Sequence, residues 1–98
     1  MADPQSGGVN LQFEWDDDKA ASNLEKHGVS FEEASPALLD PLALAQEDAT
    51  SGGELRWVLI GMSARGRLLT VIYTLRRPER IRLIWARKAT RKEANYYA

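Results

Sequence analysis

The chain has 98 residues, with 44% hydrophobic residues, 28% charged residues and a formal net charge of −1, a composition typical of one small globular domain. The absence of cysteine excludes a disulfide framework, a thiolate nucleophile and a zinc–thiolate site. The longest apolar runs are far too short to span a bilayer, and the first ten residues lack the pattern of a signal peptide. We therefore predict a cytoplasmic protein with a flexible tail over residues 1–10 and a single domain over residues 11–98.

Charge is distributed unevenly along the chain. Residues 1–54 carry twelve Asp or Glu against two Lys, whereas residues 55–98 carry eleven Arg or Lys against two Glu. All nine arginines lie in the second part. Two interpretations remain open: the basic part binds a polyanion or an acidic protein, or acidic helices pack beside a basic sheet.

The acidic part begins with a predicted strand and helix. Alternating apolar residues favour a short strand over residues 11–15. A helix is predicted over residues 17–27, with Asp16 as its N-cap and Gly28 as its C-terminal stop. The residues of this helix expected to face inward are Ala20, Ala21 and Leu24.

A second helix and an edge strand follow. A capping box over residues 30–33 predicts a short helix that breaks at Pro36. After a turn at residues 40–41, a short edge strand is predicted over residues 42–44, and residues 46–53 form a polar, glycine-ended loop.

The basic part predicts three consecutive strands and a final helix. The predicted strands are residues 55–63, 67–76 and 80–87. If Arg65-Gly66 forms a two-residue turn, Val58 lies opposite Tyr73. A capping box over residues 90–93 starts the last helix.

The predicted order is β-α-α-(β)-β-β-β-α, which indicates the α+β class: a small curved antiparallel sheet with helices packed on it. The last strand is expected to be an inner strand, partly covered on both faces. Strict alternation places Arg80, Arg82, Ile84 and Ala86 on one face and Ile81, Leu83, Trp85 and Arg87 on the other.

Four segments, in this order, resemble the BrnT family of bacterial toxins. They are FEWDDDKAASNLEKHGVSFEEA from residue 13, DPLAL from residue 40, IGMSARGRLLTVIYTLR from residue 60 and RIRLIWARKATRKEANYY from residue 80. The resemblance implies a RelE- and ParE-like fold and a ribonuclease activity that arrests translation and growth. It also implies a BrnA-like antitoxin of the ribbon-helix-helix type, encoded beside the toxin. The toxin would be brought to operator DNA only indirectly, through this antitoxin.

RNA cleavage without a metal needs a base for the 2′-hydroxyl proton, an acid for the leaving 5′-oxygen and cations for the phosphorane. Arginine suits the last task because its guanidinium matches phosphate oxygens and stays protonated. His27 is the only histidine, a residue type that titrates near neutrality. We expect no metal and no cofactor. The predicted catalytic residues are His27, Arg67, Arg82 and Arg87, and the predicted substrate-binding residues are Lys26, Lys88, Trp85 and Tyr73.

Other interpretations stay open at this stage. An arginine within an apolar strand, such as Arg82, also fits an acidic partner in the first half, and His27 also fits a helix C-terminus, where the dipole favours a cation. The resembling family usually has a small hydroxyl residue where this chain has Trp85, and the indole either stacks on a base, obstructs the groove or packs in the core. The alternative functions are a non-enzymatic ParE-like toxin and an inactive, antitoxin-binding co-repressor.

Overall fold

The computed structural model describes residues 11–48 and 53–97, and the predicted tail over residues 1–10 lies outside this part of the chain. Its elements, in order, are β1 (Gln12–Glu14), α1 (Asp17–His27), α2 (Phe31–Ala34), a 3-10 helix (Ser35–Leu39), β2 (Leu44–Glu47), β3 (Trp57–Met62), β4 (Leu68–Arg77), β5 (Arg80–Lys88) and α3 (Arg91–Ala94). The α+β class and the element order are confirmed. Within the described ranges, no helix is long and apolar enough to cross a membrane.

The five strands form one sheet in the order β1-β5-β4-β3-β2. Neighbours among β2 to β5 are antiparallel, but β1 runs parallel to β5. The sheet is therefore mixed, and not purely antiparallel as predicted. The strands β1 and β5 are far apart in the chain and are not joined by a hairpin, so no turn forces them to be antiparallel. The edge strand β2 lies two residues later than predicted, so Gln46 and Glu47 belong to the sheet. Residues 49–52 of the predicted loop are outside the described residues.

The helix ends predicted from the sequence are confirmed. Asp16 is the N-cap of α1, and Gly28, with a φ of 70°, is its C-cap, a backbone conformation that glycine adopts without steric cost. Ser30 caps α2, and Thr90 forms a capping box at the start of α3. The second helix ends at Ala34, just before Pro36, as predicted. The chain then continues as a 3-10 helix with the proline in its first turn, where its missing N–H costs no hydrogen bond.

The face of α1 that turns inward differs from the prediction. Of the three residues expected inside, Ala20 packs against the core, whereas Ala21 and Leu24 are exposed, Leu24 by 52%. The buried residue of α1 is Asn23. A polar side chain with backbone partners thus decides how the helix is rotated.

The β3–β4 hairpin has a three-residue loop. The hydrogen bond that borders the loop runs from the amide of Ser63 to the carbonyl of Arg67 (2.7 Å). The last residue of the loop is Gly66, with a φ of 77°. A loop whose last residue is a left-handed glycine favours this length. Tyr73 consequently lies opposite Trp57, one residue away from the predicted partner, and such a slip moves each side chain of β3 to the other face.

A β-bulge at Ile84 reverses the alternation of side chains along β5. Leu83 and Trp85 pair with adjacent residues of β4, which leaves Ile84 between them without a partner. The predicted alternation is therefore wrong beyond this point. The core face carries Ile81, Leu83 and Ala86, while Arg82, Trp85 and Arg87 lie opposite Thr74, Ile72 and Thr70 of β4. Trp85 is thereby removed from the core, which rules out the packing interpretation.

Helices α1 and α2 cover one face of the sheet. The core joins Val29 and Phe31 of the helical segment to Leu69, Val71 and Leu83 of the strands, and none of these is more than 1% exposed. Burying a large apolar side chain stabilises a fold by about 1.5–3 kcal/mol. This layer holds α1 alongside β5, while α3 contacts the other face of the sheet through the hydrogen bonds of Glu93 with Thr70 and Arg87.

Candidate active site

A cleft of about 340 Å³ lies between α1 and the end of β5. Its lining residues are Lys19, Ser22, Asn23, Lys26 and His27 from α1 and Ile84, Trp85 and Arg87 from β5. Four of the predicted site residues meet here: Lys26, His27, Trp85 and Arg87. Because three of them are basic or titratable and the fourth is aromatic, this cleft is the candidate active site.

Asn23 fixes α1 against β5. Its Nδ2 donates to the carbonyls of Ala86 (2.8 Å) and Val29 (2.9 Å), and its Oδ1 accepts from the amide of Ala86 (3.1 Å). Strand β1 pairs with β5 only as far as Arg82, so this side chain satisfies backbone groups that a strand would otherwise bind. The contact sets where the last turn of α1, with His27, meets β5.

Trp85 lies beside both His27 and Arg87. The ring centroids of Trp85 and His27 are 6.4 Å apart, with the planes tilted by 36°. Arg87 Cζ lies 5.3 Å from the centroid of the indole, within the range of a cation–π interaction. His27 is exposed and Trp85 is half-buried, so both present surface to solvent inside the cleft.

A carboxylate from α3 orients Arg87. The guanidinium donates to both oxygens of Glu93, at 2.7 and 2.9 Å, and Glu93 also accepts from the hydroxyl of Thr70 and the amide of Thr90. The hydrogen bond from Arg87 is the main reason why the pKa of Glu93 falls to about 2. Glu93 is therefore ionised at neutral pH and holds Arg87 in place, while further N–H groups of the guanidinium remain for another acceptor.

Arg67 does not line the cleft. It pairs with Glu33 (Nε to Oε2, 2.8 Å) and donates to the carbonyl of Gly28 (3.0 Å). The side chain of Glu33 is only 5% exposed, also accepts from the hydroxyl of Ser63, and has a lowered pKa, mainly because of the hydrogen bond from Arg67. In this position Arg67 fixes the chain that follows His27.

Arg82, Tyr73 and Lys88 also lie outside the cleft. Arg82 and Arg80 share Glu14 of β1 as an acidic partner, at 2.9 and 3.1 Å, as the alternative interpretation of these arginines expects. Tyr73 belongs to the core, where burial raises the pKa of its phenol. Lys88 is exposed at the end of β5. The structure thus gives Arg82 and Tyr73 contacts that maintain the fold.

Four lining residues of the cleft were missed from the sequence: Lys19, Ser22, Asn23 and Ile84. Lys19 and Ser22, together with Asn23 and Lys26, have the spacing i, i+3, i+4, i+7 of a single helix face, a signal that reading only the apolar positions overlooks. Both lysines are exposed, and neither forms a salt bridge with a residue in the described part of the chain. Among the described residues, no group of three or more His, Asp or Glu is arranged to hold a metal ion.

Comparison with known proteins gives one family. The model of the ribonuclease toxin, BrnT, of type II toxin–antitoxin systems matches residues 15–93. The fold is similar to that in the crystal structure of the Brucella abortus ribonuclease toxin, BrnT, with a TM-score of 0.62 and 24% sequence identity over 83% of this chain and 99% of that chain. No curated protein matches the chain closely enough to be counted as a relative.

Proposed function

The chain belongs to the BrnT family of ribonuclease toxins of type II toxin–antitoxin systems, and on this premise we propose that it is a metal-independent endoribonuclease whose site is the cleft between α1 and β5. The observation that carries the proposal is the meeting of His27 and Arg87 at the indole of Trp85, with Lys26 in the same cleft. An imidazole for proton transfer, cations for the phosphate charge and an aromatic surface for a base are groups suited to RNA binding and cleavage.

In the proposed reaction, the substrate's own 2′-hydroxyl is the nucleophile. The 2′-oxygen loses its proton and bonds to the adjacent phosphorus, the bond from phosphorus to the 5′-oxygen breaks, and the 5′-oxygen takes up a proton. His27 transfers a proton in this sequence. Arg87 and Lys26 stabilise the negative charge that develops on the phosphorane oxygens. The products are a 2′,3′-cyclic phosphate and a 5′-hydroxyl.

An RNA cleavage assay in EDTA tests this proposal. We expect the purified toxin to cut end-labelled single-stranded RNA at the same rate in EDTA and in Mg²⁺, because the charge stabilisation comes from side chains. The upstream fragments should carry 2′,3′-cyclic phosphate ends. Intact RNA at a large excess of protein would contradict the proposal and favour the alternatives of a ParE-like toxin or an inactive co-repressor. Cleavage only with Mg²⁺ would contradict the metal independence.

We further propose that Trp85 stacks on a base of the bound RNA. Base–aromatic stacking contributes about 1–3 kcal/mol, so Trp85→Ser should weaken RNA binding by about one to two orders of magnitude. Trp85→Phe is the matched control, since it keeps an aromatic ring and should retain most of the affinity. Binding can be measured by fluorescence anisotropy with a 2′-deoxy-substituted oligonucleotide that is not cleaved. A large gain of cleavage in Trp85→Ser would instead mean that the indole obstructs the site.

The family defines a toxin with an antitoxin partner, and we propose that this partner is a BrnA-like, ribbon-helix-helix antitoxin. The toxin would then meet operator DNA only through the antitoxin, whose DNA-binding part represses the shared operon. RNA is the proposed substrate, and we propose that the toxin acts in the cytoplasm, where its RNA is. The test is whether the toxin shifts an operator fragment only when this antitoxin is present.

A further inference from the structure

A second groove, of about 570 Å³, lies between α3 and the sheet face that α1 and α2 leave uncovered. Leu44, Val58 and Ile60 line it from the sheet, and Tyr96 lines it after α3. Leu44 lies opposite Ile60 in the sheet, so both side chains share this face. Leu44 is 43% exposed and Tyr96 is 61% exposed. Large apolar side chains grouped at the surface are a feature of protein interaction sites.

The charge of this groove favours a protein over RNA. Its single charged lining residue is Glu93, whose carboxylate is paired with Arg87, and none of its lining residues is a cation that could bind a phosphate backbone. The cleft is the opposite, because it is lined by Lys19, Lys26 and Arg87 and has no acidic lining residue. An RNA backbone is therefore attracted to the cleft and not to the groove.

The ion pair of Arg87 and Glu93 lies between the cleft and the groove. Arg87 lines the cleft and Glu93 lines the groove, and their side chains are joined at 2.7 Å. A ligand that fills the groove therefore lies directly against the wall of the cleft. Strand β2, which borders the groove, is an edge strand with all four residues exposed, and a partner seated there would also cover this edge.

We propose that the antitoxin docks here, with apolar side chains in the groove and an acidic stretch reaching over the Arg87–Glu93 pair onto the cleft. The partner follows from the type II family. The apolar side chains of the partner are inferred from the apolar lining of the groove. Its acidic stretch is inferred from the exposed lysines of the cleft, Lys19 and Lys26. The groove contact stands by itself, whereas the blocking of catalysis rests on the proposed function of the cleft.

Two substitutions on the exposed rim of the groove test the docking. Leu44→Glu and Tyr96→Glu each place a carboxylate where an apolar side chain should be buried. We expect each to weaken binding of the purified antitoxin, the product of the gene beside the toxin gene, by at least tenfold in a calorimetric titration. RNA cleavage by the free toxin should stay at the wild-type rate, and more antitoxin should be needed to inhibit it. Leu75→Glu is the matched control, because Leu75 is similarly exposed, by 47%, and does not line the groove.

The other outcomes distinguish a failure of the docking proposal from a failure of the proposed function. Wild-type antitoxin affinity in both variants would show that the groove is not the docking site. If that result came with a loss of RNA cleavage, the groove would belong to RNA, and if it came with a change in the oligomeric state of the free toxin, the groove would bind a second copy. A wild-type toxin that cleaves no RNA would contradict the proposed function of the cleft and leave the titrations as a separate test of the groove.

Discussion

Replacing His27 with glutamine is expected to lower kcat for RNA cleavage by about 100- to 10,000-fold, the usual contribution of general acid–base catalysis. Glutamine keeps a polar side chain of similar size but cannot exchange a proton near neutrality. His27 is exposed and lies in the last turn of α1, so we expect the stability of the fold to change little. Single-turnover cleavage of a labelled RNA, measured between pH 5 and pH 9, gives both the rate and the loss of the pH-dependent step.

Glu25→Gln is the matched control for this variant. Glu25 is exposed on the same helix, two residues before His27, and does not line the cleft, so its replacement should leave both the rate and the pH profile unchanged. If the His27→Gln protein cleaved RNA at a rate within threefold of the wild type, proton transfer would have to be assigned to another group. The same conclusion would follow if the rate fell but the pH profile kept its shape, since His27 would then only position the substrate.

The parts of the fold that the sequence predicts well are those governed by neighbouring residues. Asp16 and Gly28 fix the ends of α1 through contacts within a few residues, and the capping box of Thr90 does the same for α3. The residues of the cleft could also be predicted in part, because His27 is the only histidine and Arg87 ends the predicted strand over residues 80–87. Residue type and local position were enough to nominate them.

The parts that were predicted wrongly depend on contacts between distant residues. The bulge at Ile84 exists only in relation to β4, and without it Trp85 falls on the wrong face. The partners of Arg67 and Arg82 are Glu33 and Glu14, in the acidic half of the chain, and no local pattern joins them. The uneven charge distribution indicated such pairs but did not show which arginine would pair with which carboxylate, or that only Arg87 among the predicted arginines would line the cleft.

Asn23→Ala is expected to destabilise the fold by about 3 kcal/mol, because it leaves the amide and carbonyl of Ala86 and the carbonyl of Val29 without their buried partner, and each lost partner costs about 1–3 kcal/mol. Because water can partly hydrate the edge of β5, the total loss of stability should be smaller than the sum of the three individual costs. The free energy of unfolding can be measured by urea denaturation at pH 7. Cleavage should fall as well at temperatures where the variant is still folded, since α1 would no longer hold Lys26 and His27 against Trp85.

Two further variants separate the hydrogen bonds of Asn23 from its volume. Ser22→Ala, at the adjacent position of the cleft, should change the free energy of unfolding by no more than about 0.5 kcal/mol. Asn23→Asp keeps the shape and the acceptor for the amide of Ala86, but at pH 7 it turns a carboxylate oxygen toward the carbonyls of Ala86 and Val29. It should therefore be at least as unstable as Asn23→Ala at pH 7 and should recover relative to the wild type as the pH falls, because a protonated carboxyl again donates a hydrogen bond. Equal stability of Asn23→Asp and the wild type at pH 7 would mean that the side-chain amide is not what fastens α1 to β5.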